Sequence, residues 1–124
     1  FGGAKYLDQI RRRFPEEIAE PDRTWLAMAS YNVGYYHVLD AQKIAIELGK
    51  DPHKWSDLQD VLPLLARKKW YKKTSSGYAR GWEPVKYVTN IRRYYDLLDY
   101  QLTLNEIRED QQVHDAFRIL PPVL

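Results

Sequence analysis

The chain has 124 residues, 19 of them basic and 17 acidic, and its net charge of +2 gives no global field that would single out nucleic acid or an anionic membrane as a partner. Zero cysteines exclude disulfides and thiolate metal sites while leaving the redox compartment open. A hydrophobic content of 44% and a charged content of 29% describe a soluble globular chain of one domain, and no uninterrupted apolar stretch approaches the roughly 18 residues that a membrane span requires.

Taken in chain order, the pattern is helical throughout. A first helix is expected over Gly3 to Phe14, where Leu7, Ile10 and Phe14 recur at three- and four-residue spacing and Pro15 ends the run. Arg11, Arg12 and Arg13 crowd its last turn, where cations meet the negative end of the helix dipole; a solvated helix terminus is the bland reading, and phosphate binding is the sharper one. A second helix opens at Glu20-Pro21-Asp22, with Pro21 suited to a first helical position, and buries Trp25, Leu26 and Ala29 before a break at Tyr31-Asn32 and Gly34. A third helix from Tyr35 carries Val38, Ala41, Ala45 and Leu48 on one face and stops at Gly49. Ser56 and Gln59 form a candidate capping box for a short helix through Leu62, which Pro63 kinks or restarts. Residues 68–76 read as a loop. A last long helix begins near Pro84 and keeps Val85, Val88, Ile91, Tyr95, Leu98 and Leu102 in helical register, and residues 111–124, with Pro121-Pro122, read as an extended or mobile end.

Much familiar site chemistry is missing from these residues. His37, His53 and His114 are scattered, with no Cys or carboxylate at ligand spacing, so no metal site is expected. None of the serines occupies a nucleophile elbow, and phosphate-binding Gly-rich loops are absent. The carboxylate pairs Glu16-Glu17 and Glu109-Asp110 lie in polar settings that ordinary solvation explains. What stands out instead are two segments: Ala29-Ser30-Tyr31-Asn32-Val33-Gly34, and Gly77 to Val88, which gathers Gly77, Tyr78, Arg80, Gly81, Trp82, Glu83, Pro84 and Tyr87 ahead of a long helix. Together they outline a carbohydrate-type cleft.

With Phe1-Gly2-Gly3-Ala4-Lys5-Tyr6-Leu7, these segments closely resemble the lysozyme-like catalytic domain of the lytic transglycosylases. A Gly-Gly-x-x-Tyr-Leu helix start, an Ala-x-Tyr-Asn-x-Gly element and a Glu-x-x-x-Tyr-Val helix start occur in that family in this order. They are matched here by Gly2 to Leu7, Ala29 to Gly34 and Glu83 to Val88, and three motifs agreeing in order and spacing are far more specific than any one. The resemblance implies an all-α, lysozyme-like fold of the goose-type or soluble lytic transglycosylase kind. It runs to roughly Leu104, so 1–104 is expected to be the C-terminal part of a catalytic domain and 105–124 a tail.

In that family the general acid Glu lies upstream of the Gly-Gly motif, so this chain is expected to be a C-terminal or processed piece without it, inactive alone and completed by the missing N-terminal part of the same protein. The implied substrate is the glycan strand of peptidoglycan, with no cofactor and no metal. The implied location is the periplasm, with outer-membrane association only through parts not present. Carried onto this chain, Tyr31 matches the Tyr whose hydroxyl faces the catalytic Glu. Asn32 and Gly34 support the same loop, and Glu83 and Tyr87 line the opposite wall, with Tyr78 and Arg80 as further sugar contacts. Two departures stand out: Tyr36 replaces a frequent Gly, and Pro84 replaces a frequent Thr.

The residues alone leave other readings open. Tyr31 is also intelligible as a core Tyr with a satisfied hydroxyl, and Glu83 as a helix N-terminal carboxylate. A non-catalytic glycan-binding module would use the same aromatics. Single-stranded nucleic-acid binding through Arg67-Lys68-Lys69-Trp70-Tyr71-Lys72-Lys73 is a third reading, but a solvated basic loop is the commoner meaning of such a run, so no nucleic-acid partner is expected.

Overall fold

The computed structural model describes residues 2–118. Among these residues every regular element is helical: α1 (Gly2–Arg13), α2 (Asp22–Val33), α3 (Tyr35–Glu47), α4 (Trp55–Val61), a 3-10 turn (Leu62–Ala66), α5 (Lys68–Tyr71) and α6 (Trp82–Arg118). The all-α expectation holds, with 77% of the described residues helical and no strand among them. Two units separate within the chain, residues 1–89 and residues 90–124.

The first unit is built around one core. Its floor comes from Ile10 of α1 and Phe14 just after it, Leu26 and Ala29 of α2, Val38 and Ala41 of α3, and Trp55, Leu58 and Val61 of α4, all buried. The three- and four-residue spacing read in α1 and α3 is what turns these side chains to one face. Leu48 is the exception: it caps α3 from outside the helix and is 42% exposed, and Ile44 fills the inward position instead. Gly49, at φ 74°, closes α3 because its left-handed backbone lets Gly49 and Lys50 donate back to the carbonyls of Ile46 (3.0 Å) and Ala45 (2.8 Å).

Tertiary hydrogen bonds set several boundaries differently from the local sequence signals. Helix α2 runs through Tyr31 and Asn32 without interruption, and the break falls at Gly34 alone. Pro21 precedes the helix instead of opening it, and the Glu20 carboxylate accepts from the Thr24 N–H at 2.9 Å. Helix α4 begins at Trp55, so Ser56 lies inside it and forms no capping box with Gln59. The free N–H of Trp55 is instead accepted by Asp22 Oδ1 at 3.1 Å, which ties the starts of α2 and α4 together. Residues 68–71 are a single helical turn where a loop was expected, because Trp70 packs on the core while Tyr71 donates its N–H to Arg67 O at 2.9 Å.

Helix α6 starts two residues before Pro84, whose missing N–H costs nothing in a first turn. Gly81 precedes it at a close crossing: a Cβ there would fall on the Leu62 carbonyl, so only glycine lets the start of α6 meet the 3-10 turn. Pro84 and Val88 are buried in the first unit.

In the second unit the helix continues to Arg118, so residues 111–118 are helical and not extended; Pro121-Pro122 lie outside the described residues. Tyr95, Leu98 and Leu102 keep helical register and are nevertheless exposed.

Candidate functional site

The site forms where the three motif segments meet. Gly3, Ala4 and Leu7 of α1, Tyr31 of α2 and Tyr87 of α6 line one cavity of ≈ 210 Å³, and all five belong to the first unit. Each segment has its own reason to be there. Leu7 is half-buried on the core side of α1, which leaves Gly3 and Ala4, one turn earlier, on the same face. Small residues there let Tyr31 approach: a Cβ on Gly3 would stand 3.5 Å from the Tyr31 hydroxyl oxygen, an ordinary contact that would fill the space beside that group. Tyr31 projects from the last turn of α2, 44% exposed, with its ring 5.9 Å from that of Tyr6 and tilted by 57°. Tyr87 is half-buried, packed on the core one residue before the buried Val88.

The lining is chemically simple. It offers two phenol groups, each able to donate and to accept a hydrogen bond, on walls of small and apolar residues. No carboxylate, histidine or cationic side chain is among the five. Among the described residues no cluster of His, Cys, Asp or Glu is arranged to hold a metal ion.

The other residues singled out by sequence are not among those that line this cavity. Asn32 is exposed on α2. Gly34 is the joint between α2 and α3, at φ 110°, its N–H donating to Ser30 O at 2.8 Å. Glu83 pairs with Arg80 at 3.6 Å on the surface at the start of α6. Tyr78 is 52% exposed and meets Tyr71 edge to face at 5.6 Å. Tyr36, the departure after Gly34, accepts a 3.3 Å hydrogen bond from Arg13, whose guanidinium lies 3.8 Å from the Tyr35 ring centroid. The arginine run thus serves local structure: Arg11 and Arg12 pair with Asp8 at 2.9 and 3.0 Å, and Arg11 also reaches Glu20 at 3.3 Å. The hydrogen bond from Arg11 holds the Asp8 carboxyl below its ordinary range, and Asp8 in return raises Arg11.

Gly3, Ala4 and Leu7 were not among the candidate site residues, although they belong to a quoted motif. The signal was the paired glycine at a helix start, where glycine has no helical advantage and close approach is its remaining use.

Comparison with known proteins agrees with the three-motif pattern. No protein-family model matches the chain. It is similar to a membrane-bound lytic murein transglycosylase F of Marinobacter nauticus, 60% identical over 97 residues that make up 78% of this chain. It is also similar to proteins of the same name from Hahella chejuensis, 48% identical with all of this chain covered, and from Pseudomonas syringae pv. tomato, 52% identical with 98% covered. The chain spans 19%, 28% and 24% of the lengths of these three relatives.

Proposed function

Given that this chain belongs with the membrane-bound lytic murein transglycosylase F proteins, as a C-terminal portion of them, we propose that it builds one wall of a peptidoglycan-cleaving site in the cell envelope. The observation that carries this reading is the convergence of Gly3, Tyr31 and Tyr87, one from each of the three motifs, on a single cavity.

The proposed reaction cleaves the β-1,4 bond between N-acetylmuramic acid and N-acetylglucosamine without water. A protonated Glu gives its proton to the bridging oxygen as the bond to the muramyl C1 breaks. The resulting carboxylate then takes the proton of the C6 hydroxyl as O6 bonds to C1, leaving a 1,6-anhydro ring. One acid therefore serves both steps, where hydrolysis through the usual pair of carboxylates would need two. The acid-free lining supports placing this Glu upstream of Gly2 in the longer protein, with a raised pKa supplied by burial against apolar walls. In this reading the fragment alone is inactive, and residues 1–104 belong to the catalytic domain with 105–124 as its tail.

Tyr31 orients the acid or steadies the developing positive charge at C1, and Tyr87 forms the facing wall. Asn32, Gly34, Tyr78, Arg80 and Glu83 act further out along the glycan strand. Periplasmic placement, with outer-membrane association through other parts of the protein, goes with this role.

Digestion of purified peptidoglycan by a full-length parent protein, followed by mass spectrometry, tests the reaction class. We expect 1,6-anhydromuropeptides from the parent and none from this chain alone. Reducing-end products from the parent would make it a hydrolase, and anhydro products from this chain would place the acid among its own carboxylates. Saturable glycan binding without any cleavage by the parent would replace the enzyme with a glycan-binding module.

A further inference from the structure

Tyr31 is aimed into its cavity by something other than the core. It is exposed, it belongs neither to the buried cluster nor to the residues packed against it, and its hydroxyl makes no hydrogen bond among the described residues. Its backbone is fixed, because the last turn of α2 closes through the Gly34 N–H donating to Ser30 O at 2.8 Å. The side-chain torsions are not fixed by the backbone, and an exposed phenol has more than one staggered well open to it. The ring of Tyr6, 5.9 Å away between centroids, is what meets it.

Helix α1 offers Tyr31 two points of contact. Gly3 and Tyr6 are three positions apart, so they are neighbours on one face, about 4.5 Å apart along the axis. Tyr31 lies against both: its hydroxyl beside Gly3, where a Cβ would stand 3.5 Å from the oxygen, and its ring beside that of Tyr6. Two such points define the direction of a phenol. The glycine leaves room for the oxygen, and the 57° tilt between the rings is of the kind that places the positive edge of one toward the negative face of the other. Leu7, next in sequence, packs on the core and lines the cavity, whereas Tyr6 is 55% exposed and does neither. Its contact with Tyr31 is therefore not a by-product of core packing.

We propose that Tyr6 is a positioning residue for the peptidoglycan reaction: its ring holds the Tyr31 hydroxyl at the cavity wall, and its own hydroxyl takes no part. The proposal rests on the reading of Tyr31 above and deepens it. A stacking platform for sugar is the competing role, and the two roles separate by experiment. A platform binds substrate whether or not Tyr31 keeps its oxygen, but a brace has nothing left to aim once that oxygen is gone.

The test is a double-mutant cycle in the full-length parent, with kcat and KM for anhydro product measured on soluble glycan strands. Tyr6→Ala should lower kcat ~3- to 10-fold and leave KM within about twofold, the scale on which one ring pair steadies a slightly misplaced group. Tyr6→Phe keeps the ring and should restore most of the parent's kcat. In a Tyr31→Phe background, Tyr6→Ala should cost less than about twofold more, because both changes remove the same contribution. Tyr6 lies outside the core, so Tm should stay within about 2 °C of the parent throughout. A loss that persists in full in the Tyr31→Phe background, or that falls on KM alone, would make Tyr6 a sugar contact and overturn the proposal. Undiminished kcat in Tyr6→Ala, with Tyr31→Phe impaired, would overturn it and leave the reading of Tyr31 intact. A parent that yields no anhydro product, or whose turnover survives Tyr31→Phe, would overturn the underlying reading as well.

Discussion

Residues 82–89 and 90–118 lie on one helix yet differ in what keeps them helical. In the first stretch Pro84 and Val88 are buried and Val85 and Tyr87 pack on the core, so tertiary contact fixes the backbone. In the second, Tyr94, Leu97, Leu98, Tyr100, Leu102 and Ile107 are all exposed, and local hydrogen bonds run along the helix from Thr103 to Asp99 O at 2.9 Å and from Gln111 to Asp115 at 3.2 Å. Periodic apolar spacing thus reports a helix without reporting a core. Local propensity and i,i+4 contacts are worth only tenths of a kcal/mol each, so the two stretches should respond to mutation on different scales.

The largest effect is expected at the joint before α6. Gly81→Ala should cost more than ~3 kcal/mol, because the new methyl meets backbone that has no room to move, and urea denaturation would read the loss. A second comparison sets Leu58→Ala, fully buried, against Leu102→Ala, 60% exposed. The first should lose ~2–3 kcal/mol and the second less than ~0.5 kcal/mol; equal losses would mean that the exposed stripe has a buried partner. Glu20→Ala should cost ~1 kcal/mol through the lost cap on α2. The smallest effect is a pH dependence. Arg11 holds the Asp8 carboxyl below 3.8, so its contribution is present above that pH and is lost as pH falls through the lower folded value. Asp8→Asn should therefore flatten the acid limb of a plot of Tm against pH, and a limb unchanged in slope would assign acid unfolding to other carboxylates.

The same contrast explains what could be read in advance. Helices α1, α3 and the start of α6 were legible because their apolar spacing is local information, and the three motifs were legible as ordered strings. Contacts across the chain were not. Asp22 and Trp55 are 33 positions apart and Asp40 and Ser76 are 36, and no local pattern marks either hydrogen bond. Ser56 and Gln59 have the right spacing for a capping box, but Asp22 reached the helix start first. Gly3 and Ala4 have too little side chain to advertise a wall, and Gly81 looked like any turn glycine until Leu62 was placed behind it. At the cavity, sequence identified the two tyrosines that line it and also five residues that the fold sets elsewhere.

Tyr31→Phe in the full-length parent tests the central claim most directly, since it removes one oxygen from the cavity and leaves the ring contact with Tyr6 in place. We predict that anhydromuropeptide formation falls ~10- to 100-fold, the scale of one positioned hydrogen-bonding group in a reacting site, with Tm unchanged within about 2 °C. Unchanged turnover with an intact fold would contradict the account, because the hydroxyl at the meeting point of the three motifs would then have no part in the reaction.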